Sequence, residues 1–115
     1  MHTLNPSRLA EQRNKLKISK IEASKRIKIA QGTYVRYELG LRQPSEAIIN
    51  RIAQVFGTSP EYLTDQTDDP SPTMIVLNKE DDPVLFEYVQ YFPTLPESQK
   101  KRLYEYWNKA REYYI

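Results

Sequence analysis

The sequence predicts an all-α protein. Five short helices fall within residues 1–65, followed by a mostly helical segment of about two helices with one short strand at most. Three observations predict this. Apolar residues recur at steps of three and four through most of the chain, the period of helices buried on one side. The breaks between those runs carry helix punctuation: Ser19, Ser45 and Ser59 stand where N-caps belong, and Gly40 and Gly57 where helices stop. Finally, 115 residues without a cysteine suit one small domain and an appendage, held by packing and not by disulfides.

Residues 1–5 read as a loose end. Pro6-Ser7 can open a helix, and Arg8 to Lys17 then form the first, with Leu9 and Leu16 seven apart on its inner side and Arg13 nearby. Ser19 with Glu22 three residues later is the capping-box pattern, so the second helix runs from about Lys20 to Ile27 and buries Ala23 and Ile27. Lys28 marks a turn and Ile29 plugs it. The third helix occupies Ala30 to Gly40. A loop closed by Pro44-Ser45 leads to the fourth, where Ile48, Ile49, Ile52, Ala53 and Phe56 keep helical spacing until Gly57. Ser59-Pro60 opens a short fifth helix that packs Tyr62 and Leu63 inward.

The third helix divides sharply at about 100° per residue. Thr33, Tyr34, Tyr37 and Glu38 share one half; Gln31, Gly32, Val35, Arg36 and Leu39 share the other. The first half carries two rings and reads as the inner face. The second offers an amide and a guanidinium, both able to form paired hydrogen bonds to base edges, beside a glycine and apolar residues. An amphipathic helix with an arbitrary outer face would also give this pattern. Its surroundings favour a reading face: the preceding turn has only about three residues, as in a helix-turn-helix, and charge is unevenly spread. Up to Asp65 eleven basic residues oppose six acidic ones, a balance of +5, which leaves −3 for the remainder of a chain whose net charge is +2. A basic front fits a polyanionic partner.

The residues from Arg8 to Leu63 resemble the Xre, or phage-repressor-like, helix-turn-helix family. The resemblance rests on Ile18 before Ser19, Ile27 and Ile29 around the turn, Tyr34, the run Arg36-Tyr37-Glu38, Gly40, Pro44-Ser45, Ile49, Ile52 and Ala53, Gly57 and Leu63. It implies a five-helix, lambda-repressor-like domain whose third helix lies in the major groove of double-stranded DNA. Gln31, Gly32, Val35 and Arg36 then take base-facing positions. Lys20 and Arg42 take phosphate-contacting positions, with Lys17, Thr33 and Lys25 as further candidates. Arg13 and Glu38 match a pair that joins the first and third helices in some members, so Glu38 is expected to be structural. Three departures stand out. Ala30 occupies an N-cap usually held by Ser or Thr, Lys28 replaces the usual turn glycine, and Ser24 replaces an alanine.

Beyond Asp65 the chain becomes polar, with Pro70 and Pro72, and residues 66–82 read as a linker. Within it Met74 to Leu77 has the length and character of a strand. Residues 83–115 form the helical C-terminal segment. Asp81 or Asp82 caps its first helix, where Val84, Leu85, Tyr88, Val89, Tyr91 and Phe92 make a broad apolar side and Phe86 falls opposite. The last helix carries a stripe of Gln99, Leu103, Tyr106, Trp107, Ala110, Tyr113 and Tyr114. Six of the nine tyrosines lie past residue 80. These helices can pack on each other, on the front domain or on a second copy. Leu103, Tyr106, Trp107, Ala110 and Tyr114 are the expected contacts for a homodimer or a protein partner.

An enzyme is not expected. His2 is the single histidine and stands near a chain end, and no nucleophile, phosphate loop or metal-ligand cluster emerges. No cofactor and no metal are expected, and no membrane span or signal segment is present, so a cytoplasmic protein is the default. The expected function is a sequence-specific DNA-binding regulator, a dimeric repressor on a palindromic operator. The alternative is an antitoxin or adaptor whose C-terminal helices grip a protein such as a toxin or antirepressor.

Overall fold

The computed structural model describes residues 2–114, with side chains through Glu112, and all its regular elements are helices. The order is α1 (Pro6–Lys15), α2 (Lys20–Ile27), α3 (Gln31–Glu38), α4 (Glu46–Phe56), α5 (Pro60–Leu63), α6 (Pro83–Tyr91), a 3-10 turn (Phe92–Thr94) and α7 (Glu97–Tyr114). The expected all-α class is borne out. The expected short strand is not: Met74 to Leu77 has no regular structure, and no strand forms among the described residues. A strand needs a neighbour for its backbone groups, and none pairs with this segment among the described residues.

The chain divides into two units at Val76–Leu77. The first encloses α1 to α5 around one core. Leu9, Ile27, Tyr34, Ile52 and Leu63 are fully buried there, with the Tyr34 and Phe56 rings edge to face at 6.4 Å. Each such aliphatic side chain contributes roughly 1.5–3 kcal/mol on leaving water. The caps sit where the serines stand: Ser19, Ser45 and Ser59 accept from the amides of Glu22, Ile48 and Tyr62 at 3.0, 3.2 and 3.0 Å. The box at Ser19 is half made. Glu22 does not reach back; its carboxylate accepts from Arg26 Nε at 3.1 Å, one turn along.

Leu4 and Asn5, expected in a loose end, are held in place. Leu4 is buried in the core, its amide donating to Gln43 Oε1 at 3.0 Å. Asn5 caps α1 by accepting from the amides of Ser7 and Arg8, and its own amide donates to Leu63 O at 2.8 Å. Helix α1 also ends earlier than its apolar spacing predicts. Lys17 is left-handed (φ 57°), so Leu16 is the C-cap and is 38% exposed instead of facing inward. The polar stretch after α5 is fastened too. Arg8 stacks 4.2 Å from the centre of the Tyr62 ring, donates to Tyr62 O and Thr67 O, and pairs with Asp65 and Asp68 at 3.1 and 2.8 Å. Further on, Thr58 Oγ1 donates to Pro70 O at 2.7 Å.

The second unit holds α6, the 3-10 turn and α7. The Phe92 and Tyr104 rings meet edge to face at 5.5 Å, and Lys100 Nζ lies 5.7 Å from the Phe92 centroid. No residue of α6 is buried. Its broad apolar side is the exposed one, with Tyr88 68% and Tyr91 63% exposed, whereas Phe86, expected opposite, is half-buried. No helix among the described residues is long and apolar enough to cross a membrane.

The turn between α2 and α3 gives a stability prediction. Lys28 takes φ 64°, ψ 48°, a conformation that disfavours a Cβ. Lys28→Gly should therefore stabilise the domain by about 0.5–1 kcal/mol after allowing for glycine's freer unfolded state. A rise of a few degrees in melting temperature would show it; a fall would mean that the lysine side chain holds the turn.

Candidate nucleic-acid interface

The site is built on α3, which is short and poorly capped. Ala30 has extended N-cap geometry but offers no side-chain hydrogen bond. Such a helix depends on its surroundings, and three sets of contacts hold it. From within, Tyr34 and Tyr37 reach the core. From the amino-terminal side, the three-residue connection is shaped by bonds from the amides of Lys28 and Ile29 to Lys25 O and Ser24 O at 3.2 and 3.0 Å. Arg51 of α4 reaches across and donates to Ile27 O at 3.1 Å, placing a cation at the carboxyl end of α2. Ser24 fits the position usually held by alanine, because its hydroxyl donates to Ile21 O at 2.7 Å while the residue stays buried.

From behind, Arg13 of α1 holds Glu38 of α3. Arg13 Nε donates to Glu38 Oε2 at 2.7 Å, Nη2 to Oε1 at 3.2 Å, and Nη1 to Ile18 O at 2.9 Å. The two side chains are 13% and 6% exposed, and this bidentate pairing raises the Arg13 pKa further above its ordinary value. Tyr34 lies beside the pair, fully buried. Its hydroxyl is close enough to Glu38 to feel the charge, but makes no hydrogen bond of good geometry. Burial first, and Glu38 second, push its pKa far above the tyrosine range.

The other side of α3 has no such duties. Gln31, Gly32 and Arg36 are exposed, while Val35 and Thr33 are half-buried. A Cβ at Gly32 would meet only Arg36 Nη1, at 3.8 Å, so packing does not require glycine there. The glycine lowers the helix surface beside the guanidinium. Arg42 and Lys17 are exposed and Lys20 is half-buried. The loop carrying Arg42 is tied to the amino-terminal segment by the bond between Leu4 and Gln43. Gln43 and Arg51 were missed from sequence because nothing local marks such long-range bonds. Leu39, which helical spacing puts on the outer half of α3, and Leu41 in the following loop are 60% and 72% exposed. In the second unit Leu103, Tyr106 and Trp107 are exposed and Ala110 is half-buried, whereas the Tyr114 side chain lies outside the described residues.

Five helices on one core, a three-residue connection between the second and third, and a third helix gripped from behind with its outer side free define a helix-turn-helix domain. Residues 9–63, just under half of the chain, match the family described as Helix-turn-helix. The chain is also similar in fold to a crystal structure of a transcriptional regulator from Listeria innocua, at 14% identity and a TM-score of 0.51, covering 99% of this chain and 98% of that one. No curated protein sequence matches it.

Two predictions follow the pair and its neighbour. Glu38→Ala should cost about 3–5 kcal/mol, since it strands a buried guanidinium; denaturant unfolding measures it, and a loss below about 1 kcal/mol would show that Arg13 finds another partner. Tyr34 has a folded pKa raised above the unfolded value of about 10. Its contribution is therefore fully present below that pH and is lost above it, as the unfolded chain alone releases the proton. Melting temperature should fall above about pH 10, and Tyr34→Phe should flatten part of that fall.

Proposed function

We propose that the protein is a sequence-specific double-stranded-DNA-binding transcriptional regulator, a repressor that binds a palindromic operator as a homodimer with α3 in the major groove. The observation that carries this is the free outer side of α3: an exposed amide, a backbone step without a side chain and an exposed guanidinium, on a helix whose back is fixed by a buried ion pair. Arg36 supplies the bidentate geometry for guanine O6 and N7, Gln31 that for adenine N6 and N7, and Val35 an apolar touch for a thymine methyl. Gly32 allows the helix backbone to approach. Lys20, Arg42, Lys17 and Thr33 set register on the phosphates, which carry no sequence information.

The dimer reading is supported by the second unit. Tyr88, Tyr91, Tyr104, Tyr106 and Trp107 are each more than half exposed. Five such rings offer several hundred Å² of apolar surface, a large part of the roughly 800 Å² per partner in a standard interface. Two tethered reading heads then gain by effective concentration, with half-sites about 34–36 Å apart. The same exposed rings would equally suit a toxin or antirepressor partner. Ultracentrifugation decides between them: a clean monomer at tens of micromolar removes the homodimer and leaves the protein partner.

Selection of bound duplexes from a random pool tests the main reading. A palindromic consensus supports it, and enrichment of no sequence overturns it. On the selected site, Arg36→Ala should lose about 1–3 kcal/mol and relax one base position. Lys20→Ala should weaken binding to all sequences and flatten the dependence on salt. An equal loss on every sequence for Arg36→Ala would reassign that residue to phosphate.

A further inference from the structure

Leu39 is the one large aliphatic side chain of α3 and its caps that is more than half exposed. It is the C-cap of α3 with helical dihedrals (φ −83°, ψ −6°), so the helical projection still holds for it. Around the axis it lies about 60° from Arg36, between Gly32 at about 40° and Val35 at about 100°, all in the same sense. It thus continues the line of Gly32 and Arg36 by one turn. It is 60% exposed and takes no part in the core.

A single exposed leucine is ordinary on a protein surface; what can cover this one is selected by the charges around it. Arg36 and Arg42 stand three residues to either side. Glu38, the acid nearest in sequence, is held by Arg13 on the far side of the helix. A second copy docked face to face would set these arginines against their own images, at a cost of several kcal/mol. A duplex meets the same arginines with phosphates and base acceptors, and its major groove has one apolar group to offer an aliphatic side chain, the thymine 5-methyl.

We infer that Leu39 is a specificity-determining residue that reads a thymine methyl next to the base pair engaged by Arg36. This rests on the major-groove reading above. Leu39, Val35 and the Gly32 gap then form one apolar strip beside the guanidinium. The strip gives the half-site a thymine requirement that neither Gln31 nor Arg36 supplies.

The experiment uses the full chain and its selected duplex, replacing each thymine of a half-site in turn by deoxyuridine, which removes only the methyl. Wild-type protein should lose about fourfold in affinity at a thymine under Leu39, the worth of one buried methylene-sized group. Leu39→Ala should bind the thymine and uracil duplexes equally at that position, with an unchanged melting temperature. Leu41→Ala, which alters the neighbouring and still more exposed leucine, should keep the penalty. The inference is overturned if no position shows a methyl effect, if every effect survives Leu39→Ala, or if the selected half-site holds no thymine. A wild-type protein without any sequence preference would instead remove the DNA-reading proposal itself, and this inference with it.

Discussion

The buried pair between Arg13 and Glu38 is the constraint on which the site depends. One guanidinium, carried on α1, bonds two other parts of the chain: the carbonyl of Ile18 in the loop before α2 and the carboxylate at the end of α3. Burying two charges is expensive, and such a pair often adds little net stability over an apolar pair of the same size. What it adds here is direction. The bidentate fork fixes the rotation of α3 about its axis, because Glu38 can meet both guanidinium nitrogens from one side only. The two core tyrosines set the same rotation by packing. Gln31, Gly32 and Arg36 are left outward as a consequence.

That division of labour explains why α3 tolerates poor local signals. It has no side-chain N-cap, its outer side contains a glycine, and the turn before it puts a lysine in left-handed backbone. Each would weaken an isolated helix. In this domain the helix is specified by long-range contacts: Arg13 from α1, Arg51 from α4 at the end of α2, and the Tyr34–Phe56 contact across the core. Its first turn therefore has no capping side chain in the way of whatever lies against it. The surface is organised by the elements behind it and not by its own propensity.

This also marks what was legible in the sequence. Serine caps, the glycines at positions 40 and 57 and the apolar period of α4 are local signals, and the helices follow them to within a residue or two. The face of α3 was legible because tyrosines and a guanidinium fall on opposite halves at helical spacing. The Arg13–Glu38 pairing was available only through family resemblance, since 25 positions separate the two and no local rule links them. The amino-terminal end misled for the same reason. Leu4 and Asn5 look like a frayed end until Leu63 and Gln43, distant in sequence, come to meet them. Arg8 likewise looks like an ordinary helix charge, and its role in fastening Asp65, Thr67 and Asp68 appears only once α5 is in place. Leu16 shows the opposite failure. Its spacing from Leu9 is right, but the chain turns away at the left-handed Lys17 and leaves it 38% exposed.

The second unit obeys a different logic. Helix α6 has nine residues and none of them is buried. A helix of that length is not stable alone in water, and the edge contact between Phe92 and Tyr104 is worth on the order of 1 kcal/mol. Phe86 turns partly inward while Tyr88 and Tyr91 stay in solvent, so the apolar side is larger than the unit itself can cover. The first unit carries its own core. The second leaves Tyr88, Tyr91, Tyr106 and Trp107 largely in solvent. In the dimer we propose, ordering of residues 83–114 and association would be one event, with a dependence on protomer concentration that the first unit alone would lack. Affinity for a two-half-site operator would then follow concentration more steeply than affinity for one half-site, because only the associated form presents two reading helices at once.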